Sequence, residues 1–376
     1  MATEIMNPKE VVEDYKDVTI GIFGSHSAKE IGVSAKAWGF KTAIVVQKGR
    51  DKLYTKYNRH LYDHVIVLES FKEMLNEEVQ EKLIELNTVM IPNRSFAVYV
   101  GYEGIEKKLK VPIYGNRFLL RAEERNEAKN QYYLLEKAKI RFPKEFKSPE
   151  EIDRLAIVKV QQAKNPLERA FFYAVSPEDY YRQAEELLKA GVINEEGLKR
   201  ARIEEFVLGA RFNANFHSYA LKDVFGNFDF VGFSDRRQVN LQGFLNLPAR
   251  DQLKINVPVR NEEIGHFGVT MRESKQEVVY EYAERLIATC IEEFPPGIIG
   301  LFGLQGAVAY SPNDELEFVV FDVSFRVPGD PAIGPTSPEM RNLSLKHGIR
   351  IEDPLDLTML EIKKAMELER IEEIVT

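Results

Sequence analysis

Apolar runs of strand length alternate with segments of helical spacing along the first third of the chain. Residues 18–23 form the first apolar run, and a turn at 24–27 leads into helical spacing over 28–38. The alternation continues with strand-like runs at 42–46, 64–68 and 88–91 and a helical segment at 76–86. Strands that alternate with helices predict a parallel sheet whose ligands bind beyond the carboxyl ends of the strands.

The pattern changes after a predicted helix over residues 121–139, and Pro143 marks the boundary. Strand-like runs at 155–160 and 170–175 flank a polar loop. An amphipathic helix at 177–190 and a strand at 203–208 follow them. This order predicts a small α+β unit that is separate from the first unit.

The rest of the chain has the character of antiparallel strands and long helices. Strands are predicted at 212–220 and 229–233, around a polar turn at 222–226. The other predicted elements are strands at 267–271, 301–310 and 316–324, a hairpin turn at 311–314, and helices at 275–293 and 357–374. The last unit is therefore expected to be a larger α+β domain.

Composition and charge narrow the class of protein. The chain has 376 residues, of which 44% are hydrophobic, so two or three compact units are expected. A net charge of −8 argues against a dedicated nucleic-acid-binding protein. The single cysteine, Cys290, predicts a reducing cytoplasm. No signal peptide is recognisable, and no apolar run approaches the roughly 18–20 residues that span a membrane.

Several short segments combine into a recognisable pattern. They are Gly24-Ser25-His26-Ser27, Pro92-Asn93-Arg94-Ser95-Phe96, Tyr114-Gly115-Asn116-Arg117, Ile203-Glu204-Glu205-Phe206-Val207-Leu208-Gly209, Pro248-Ala249-Arg250-Asp251-Gln252-Leu253, Met271-Arg272-Glu273-Ser274 and Phe321-Asp322-Val323-Ser324-Phe325-Arg326-Val327. Together they resemble the archaeal FAICAR synthetases of the ATP-grasp superfamily over residues 18–372. FAICAR is 5-formaminoimidazole-4-carboxamide ribonucleotide.

The resemblance implies an α/β ATP-grasp fold in three domains. The first is an N-terminal Rossmann-like (pre-ATP-grasp) parallel-sheet domain at 1–120. A small ATP-grasp subdomain at 121–208 contains the lid at about 143–208, and a larger C-terminal ATP-grasp domain covers 209–376. Family members are commonly homo-oligomers, so a homo-oligomer is expected here as well.

The resemblance also implies an ATP- and Mg²⁺-dependent ligase of purine (IMP) biosynthesis. ATP activates formate as formyl phosphate, and the amine of AICAR (aminoimidazole carboxamide ribonucleotide) attacks it to give FAICAR, ADP and phosphate. The physical reason for this route is that phosphate is a good leaving group and a carboxylate oxygen is a poor one. The protein must align the reactants and exclude water from the acyl phosphate.

Three groups of residues are carried over from the family as candidate AICAR contacts. Ser25 and His26 follow the first strand, where a helix N-terminus offers free N–H groups to a phosphate or carboxamide. Ser95 follows a later strand, and His266 precedes the segment at 271–274, at a place where the family tends to have an asparagine. The alternative interpretation of Ser25 and His26 is an N-capping serine beside a solvated histidine.

The ATP contacts implied by the family come mainly from the small unit. Lys159 ends an apolar run, so its charge could reach the ATP phosphates, and a snorkelling strand-end lysine is the alternative. Glu204, Glu205 and Val207 lie on the predicted adenine hinge. Adjacent strand residues face opposite ways, so the two glutamates are expected to have different roles. Gln238 is assigned to ATP because the family tends to have a glutamate near it.

A magnesium site and a phosphate-binding arginine are implied by the last strand. Asp322 and Arg326 share one face of it because their spacing is even. Asp322 is the predicted metal ligand, together with Gln305, which falls where the fold commonly has a second carboxylate. Mg²⁺ prefers charged oxygen ligands, so the amide of Gln305 would be the weaker one. Arg326 is the predicted catalytic residue.

The loop at 160–169 departs from the family pattern. The family has a glycine- and arginine-rich loop over the triphosphate, whereas this loop has no glycine and contains Pro166 and Glu168. Two alternatives therefore stay open: an ATP-grasp ligase with another carboxylate or amine, and a non-catalytic nucleotide-binding or regulatory subunit. A Rossmann-like dehydrogenase is ranked last because the first turn has no G-x-G-x-x-G motif.

Overall fold

A computed structural model describes residues 8–125, 127–161, 163, 169–238, 243–254, 263–311, 314–329 and 337–376. The chain divides into two compact units. Unit 1 comprises Met1–Lys139, Phe212–Gln305 and Asp322–Thr376, and unit 2 comprises Ile140–Arg211 and Gly306–Phe321. The three-domain division at 120 and 208 stays a prediction.

The helices and strands are numbered here in chain order. The strands are β1 Thr19–Phe23, β2 Lys41–Gln47, β3 His64–Leu68, β4 Thr88–Ile91, β5 Glu145–Phe146, β6 Ala156–Gln161, β7 Arg169–Ala174, β8 Arg202–Glu205, β9 Ala210–Ser218, β10 Phe228–Gln238, β11 Glu263–Val269, β12 Gly300–Tyr310 and β13 Leu316–Ser324. The α-helices are α1 Pro8–Glu13, α2 Ala28–Ala37, α3 Glu77–Glu85, α4 Arg94–Val100, α5 Tyr102–Lys107, α6 Gln131–Lys137, α7 Pro177–Lys189, α8 Glu195–Lys199, α9 Lys222–Phe225, α10 Ala249–Gln252, α11 Glu277–Glu293, α12 Pro338–His347 and α13 Leu355–Glu367.

The predicted parallel sheet is confirmed in unit 1, with strand order β3-β2-β1-β4. Its strands pair in parallel, and Ile22 on β1 lies between Ile44 on β2 and Ile91 on β4. Ile20 and Ile22 belong to one buried apolar cluster, and Phe23 belongs to another. Both faces of the sheet are therefore covered, as parallel sheets require, and the carboxyl ends of β1 and β4 meet at one edge.

Antiparallel strands form the second sheet, with the order β11-β10-β9-β12-β13. Strands β12 and β13 contain residues of both units. Unit 2 has its own sheet, with the order β5-β8-β6-β7, and its own apolar cluster around Val158, Phe172 and Ile203. These strands correspond to those predicted at 155–160, 170–175 and 203–208, with boundaries that differ by one to three residues.

The single helix predicted over residues 121–139 is wrong. A short 3-10 turn covers Leu120–Glu123, and α6 begins only at Gln131. The side chain of Asn130 accepts hydrogen bonds from the backbone N–H groups of Tyr132 and Tyr133, at 2.9 and 3.1 Å, and so caps α6. The residues on either side of the break, Glu123 and Gln131, accept the backbone N–H groups of Phe325 and Val323, and the spacing of apolar residues does not encode these tertiary hydrogen bonds.

Three other element predictions need correction. The polar turn predicted at 222–226 contains the short helix α9. The last helix, predicted at 357–374, ends at Glu367 and is followed by a separate 3-10 turn at Ile371–Glu373. Helix α12 was missed altogether; it begins at Pro338 with a side-chain cap from Ser337. The tip of the turn predicted at 311–314, residues 312–313, lies outside the described residues.

A buried polar network joins β10 to α12 in unit 1. Asp229 is almost fully buried, and it accepts hydrogen bonds from the Tyr219 hydroxyl and from His347 Nε2, each at 2.7 Å. It also pairs with the ammonium group of Lys346. Burial alone would raise the pKa of Asp229, but the hydrogen bonds from His347, Lys346 and Tyr219 outweigh that effect and lower it to about 2.

A second buried carboxyl group holds α13 in unit 1. Glu361 accepts the backbone N–H groups of Ala220 and Leu221 at 2.7 and 3.0 Å and the hydroxyl of Tyr114 at 2.6 Å. Burial raises the pKa of Glu361 to about 7.

In the described residues no helix is long and apolar enough to cross a membrane.

Candidate active site

The turn after β1 has an unusual backbone. His26 and Ser27 have positive φ angles of 31° and 65°, which non-glycine residues seldom adopt. Asn93 holds this turn from the neighbouring strand, because its side-chain amide donates to the carbonyl oxygens of Phe23 and Ser25 at 3.0 and 3.2 Å. Such backbone conformations persist only where the surroundings fix them, and they are frequent at functional sites.

Ser95 lies at the neighbouring strand end. It follows β4 and is buried in the first turn of α4, whose N-terminus is capped by Asn93 Oδ1, 2.9 Å from the backbone nitrogen of Phe96. Because β1 and β4 pair in parallel and Asn93 links their ends, Ser25, His26 and Ser95 lie at the same edge of the sheet. This edge contains the carboxyl ends of the parallel strands, where ligands were predicted to bind.

The segment after β13 also reaches this edge. Val327 forms a parallel bridge with Asn93, and its N–H donates to the carbonyl of Pro92 at 3.1 Å. The hydroxyl of Ser27 donates to the carbonyl of Pro328 at 3.0 Å. Arg326 therefore lies one residue from a backbone pair at this edge, and its catalytic role stays a prediction.

His26 lies among charged groups. Burial, the Arg326 guanidinium and His266 lower the pKa of His26 and Glu263 opposes them, which together give a pKa of about 4. A β-carbon placed on Gly329 would lie 2.8 Å from His26 Cε1 and 3.5 Å from a carboxylate oxygen of Glu263. His26, His266 and Arg326, which the sequence analysis selected separately, therefore belong to one cluster.

Glu263 completes this cluster and was not predicted. Its carboxylate lies 3.1 Å from His266 Nε2 and 3.0 Å from Arg236 Nε. Burial alone would raise the pKa of Glu263, but the hydrogen bond from His266 and the charge of Arg236 outweigh it, so the pKa lies below its usual range.

A β-bulge places Glu263 beside His266. Gln238 pairs with Glu263, whereas the preceding residue, Arg237, pairs with Gly265, so β11 has one extra residue at Ile264. Residues three apart on a regular strand face opposite ways, and one inserted residue restores the same face. The structure also places Gln238, an expected ATP contact, buried at the end of β10 opposite Glu263.

Arg326 is held by Glu123. The Glu123 carboxylate lies 3.2 Å from Arg326 Nη2 and 3.3 Å from Arg94 Nη1, and it accepts the backbone N–H of Phe325 at 2.8 Å. The side chains of Glu123 and Arg326 are both largely buried. Nε of Arg326 is buried and has no hydrogen-bond partner within the described ranges, so the guanidinium keeps one donor for a ligand.

The expected metal ligands lie on β12 and β13. A β-carbon placed on Gly303 would lie 3.1 Å from the hydroxyl oxygen of Ser324, so the two residues occupy the same face of the sheet. Gln305 and Asp322 are two residues from Gly303 and Ser324, respectively, and share that face by alternation. Gln305 Oε1 and Ser324 Oγ are buried without a hydrogen-bond partner among the described residues.

These oxygens fit a magnesium ion that arrives with a nucleotide. Among the residues that the structure describes, no group of three or more His, Cys, Asp or Glu side chains is arranged to hold a metal ion. Mg²⁺ commonly takes one or two carboxylates from the protein and its other ligands from phosphates and water. One carboxylate, Asp322, beside two unpaired oxygens therefore suits such an ion.

In unit 2, the two adjacent glutamates face opposite ways, as the strand spacing predicts. Glu204 is almost fully buried and lies 2.5 Å from Nζ of Lys159 on the neighbouring strand β6. Glu205 accepts two hydrogen bonds from one Arg141 nitrogen at 2.8 and 3.0 Å and a third from the backbone of Lys144 at 3.0 Å. Lys159 and Glu204 thus form one pair, and Glu205 belongs to a separate arginine network.

The expected adenine hinge follows β8. The ring of Phe206 packs edge-on against Tyr173, with the ring centroids 5.0 Å apart. Val207 is half-buried, Leu208 is exposed, and residues 206–208 have no regular secondary structure. The backbone N–H of Phe206 donates to the carbonyl oxygen of Leu155 at 2.8 Å, so this group is already engaged within the protein. Residues 162 and 164–168 of the glycine-free loop lie outside the described residues.

Gly209 leaves no room for a side chain. A β-carbon placed on Gly209 would lie 2.3 Å from the carbonyl oxygen of Val308. Replacing Gly209 by Ala is therefore expected to shift the hinge backbone and to lower the free energy of unfolding by about 2 kcal/mol. Urea unfolding followed by circular dichroism would measure the change.

The matched control is Gly243→Ala, because a β-carbon placed on Gly243 meets no atom of the described part of the chain within 4 Å. The control should unfold at the urea concentration of the wild-type protein. Equal urea midpoints for the wild type and both variants would show that the hinge backbone can move to accommodate the added methyl group without loss of stability.

Comparison with known proteins shows the family to which the chain belongs. Residues 20–146 match a family described as a protein of unknown function, DUF1246, and residues 179–376 match a domain of unknown function, DUF1297. The 5-formaminoimidazole-4-carboxamide-1-(beta)-D-ribofuranosyl 5'-monophosphate synthetase (FAICAR synthetase) of Methanocaldococcus jannaschii is 36% identical over 373 residues, which cover 98% of each chain. The chain belongs to the FAICAR synthetase family.

Solved structures confirm the ATP-grasp fold. The IMP biosynthesis protein PurP from Thermococcus kodakaraensis is similar with a TM-score of 0.69 and 24% identity, covering 95% of this chain and 100% of that chain. The N5-carboxyaminoimidazole synthetase from Staphylococcus aureus, solved with ADP, has a TM-score of 0.51 and 13% identity, covering 82% and 70%. The α/β ATP-grasp fold implied by the sequence resemblance is thus confirmed for this FAICAR synthetase family member.

Proposed function

We propose that this protein is an ATP-dependent ligase that formylates AICAR with formate to give FAICAR, ADP and phosphate in purine biosynthesis. The observation that carries this proposal is the 36% identity to a FAICAR synthetase over 98% of both chains. The cluster of His26, His266 and Arg326 at the edge of the parallel sheet supports it, because the family places its nucleotide substrate there.

The acceptor nucleotide is proposed to bind at that edge. Ser25, His26 and Ser95 would contact AICAR, and His266 would lie beside them. His26 has a pKa of about 4 and is therefore neutral at physiological pH, so it can accept a hydrogen bond from an amine or a carboxamide. Arg326 would stabilise negative charge that develops on the transferring groups.

The expected contacts of the nucleotide triphosphate are kept as proposals for the residues of each unit by itself. Lys159 would place its charge on the phosphates, and Glu204 holds its ammonium group at 2.5 Å. Residues 205–207 would receive the adenine, and Gln238 is kept as a proposed ATP contact. Asp322, with Gln305, would hold the magnesium ion. When bound, the ion neutralises phosphate charge and so favours phosphoryl transfer.

Two further proposals concern the setting of the protein. The cytoplasm is the proposed compartment, because a single cysteine fits a reducing environment. We propose a homo-oligomer because members of the family commonly form homo-oligomers. We also propose that the protein binds small molecules rather than nucleic acid or membranes. The net charge of −8 argues against nucleic acid as a binding partner.

The deciding experiment incubates the purified protein with ATP, magnesium, formate and AICAR and follows ADP and FAICAR together. We expect equal amounts of both products, with loss of both when any one component is omitted. Heat-stability shifts with ATP and with AICAR in the same samples report binding separately from turnover. Stabilisation by both ligands without any product would contradict the proposal and favour the regulatory subunit.

A further inference from the structure

The carboxylate of Glu123 accepts hydrogen bonds from three different residues of unit 1. Its Oε2 lies 3.2 Å from Nη2 of Arg326 and 3.3 Å from Nη1 of Arg94, and its Oε1 accepts the backbone N–H of Phe325 at 2.8 Å. The side chain of Glu123 is only 7% exposed. Hydrogen bonds between charged groups are the strong ones, so this buried carboxylate is held in one position beside the candidate site.

Glu123 is also attached to β13 through its backbone. The side-chain amide of Gln131 donates to the backbone carbonyl of Glu123 at 2.9 Å and accepts the N–H of Val323 at 2.6 Å. Glu123 therefore contacts the end of the strand directly through its carboxylate and indirectly through Gln131. Its position relative to Arg326 is fixed by both connections.

Both terminal nitrogens of the Arg326 guanidinium are used within the protein. Nη2 contacts Glu123, and Nη1 donates to the carbonyl oxygen of Val327 at 3.2 Å. Nε is buried and has no hydrogen-bond partner among the residues that the structure describes. The planar guanidinium is therefore held in one orientation, in which Nε is the donor left for a ligand.

The charges around Glu123 are balanced. Arg94 also lies 3.0 Å from a carboxylate oxygen of Glu124, which accepts the hydroxyl of Tyr102 at 2.7 Å. Two guanidinium groups and two carboxylates thus form one network, and Glu123 is the carboxylate that contacts both guanidinium groups. If its charge were removed, Arg94 and Arg326 would repel each other at short range with no anion between them.

We propose that Glu123 is a positioning residue for the ligase reaction and that it acts through Arg326. This inference rests on the proposed function, in which Arg326 stabilises negative charge on the transferring groups. In this role Glu123 fixes the guanidinium before the reactants bind, so that they meet a charge that is already oriented. A displacement of about 1 Å at such a site can cost roughly 100-fold in rate.

The test is a double-mutant cycle in the full-length protein with Glu123→Gln, Arg326→Lys and the two changes combined. ADP and FAICAR formation are followed at saturating ATP, magnesium and formate with AICAR varied, which separates kcat from KM. Glu124→Gln is the matched control, because Glu124 pairs with Arg94, whereas Glu123 pairs with both arginines. Glu123→Asp keeps the charge on a shorter side chain and carries the test if the Gln variant does not fold.

We expect Glu123→Gln to lower kcat roughly 30- to 100-fold and Glu123→Asp about tenfold, with KM for AICAR within about threefold. In the Arg326→Lys background, Glu123→Gln should cost less than about threefold, because the group through which it acts is gone. Glu124→Gln should keep the wild-type kcat. The inference is overturned if both glutamate variants lose equal rate, if the two losses multiply in the double variant, or if kcat is unchanged.

A second measurement does not depend on turnover. Phenylglyoxal modifies accessible guanidinium groups, and mass spectrometry of the peptide that contains Arg326 follows the reaction at this residue. We expect Glu123→Gln to raise the modification rate of Arg326 about tenfold and Glu124→Gln to leave it unchanged. Equal rates in the wild type and both variants would overturn the positioning role. If the wild type forms no FAICAR, the proposed function fails, and the modification rates still decide whether Glu123 fixes Arg326.

Discussion

Replacing Asp322 by Asn is expected to slow ADP and FAICAR formation roughly 100- to 1,000-fold at fixed magnesium. Asp322 shares a sheet face with Gln305 and Ser324, whose oxygens have no hydrogen-bond partner among the described residues, and an amide is a weaker ligand for Mg²⁺. The isosteric change keeps the shape of the side chain, so the loss is electrostatic. The rate of ADP formation as a function of magnesium concentration measures it.

Asp314→Asn is the matched control. Asp314 is exposed in the turn between β12 and β13 and has a φ of 63°, a conformation that Asn tolerates. This variant should keep the wild-type rate at every magnesium concentration. If Asp322→Asn also kept it, the proposed metal site on β13 would be wrong, and the ion would have to be held elsewhere.

Replacing Asp229 by Asn is expected to lower the free energy of unfolding by about 3–5 kcal/mol at pH 7. The buried carboxylate has Tyr219, Lys346 and His347 as partners, and an amide would leave the ammonium group of Lys346 without its counter-charge. Urea unfolding followed by the fluorescence of Trp38, which is the only tryptophan in the chain, measures the change.

The pH dependence of this difference follows from the lowered pKa. Asp229 has a pKa of about 2 in the folded protein and about 3.9 when unfolded. Its contribution is therefore complete above the unfolded value and is lost as the pH falls through the folded value. The difference between wild type and variant should be constant from pH 7 to 5 and shrink below about pH 4.

Asp223→Asn serves as the control for this experiment. Asp223 forms an exposed ion pair with Arg370 at 2.8 Å, and such pairs contribute little to stability. The control should unfold at the wild-type urea concentration. A loss of stability as large as that of Asp229→Asn would mean that burial of the network is not the source of the effect.

The local pattern of apolar and polar residues was sufficient to predict structural features that depend on a single strand or a single turn. The alternation of apolar runs and helices predicted the parallel sheet, because a sheet that is buried on both faces needs apolar residues at every position. The strand period placed Glu204 and Glu205 on opposite faces, where they pair with Lys159 and Arg141. The roles of these residues toward ATP stay predictions.

The break in the predicted helix at 121–139 was decided by tertiary contacts. Strand β13 is at the edge of its sheet, so its outward N–H groups need partners. The side chain of Gln131 accepts the N–H of Val323 at 2.6 Å, and Glu123 accepts that of Phe325 at 2.8 Å. These hydrogen bonds join residues about 200 positions apart, so no local spacing can predict them.

In the candidate site, too, some residues could be predicted from the sequence and others only from the tertiary structure. Family motifs identified His26, His266 and Arg326 one at a time, since each lies in a short segment with its own pattern. Glu263 was missed because a regular strand would turn it away from His266, and only the β-bulge against β10 brings it back. The sequence by itself determined the family and the fold class, and it proposed the residues of the candidate site. The tertiary structure decided which of them share one face, because that depends on strand register and on contacts between distant parts of the chain.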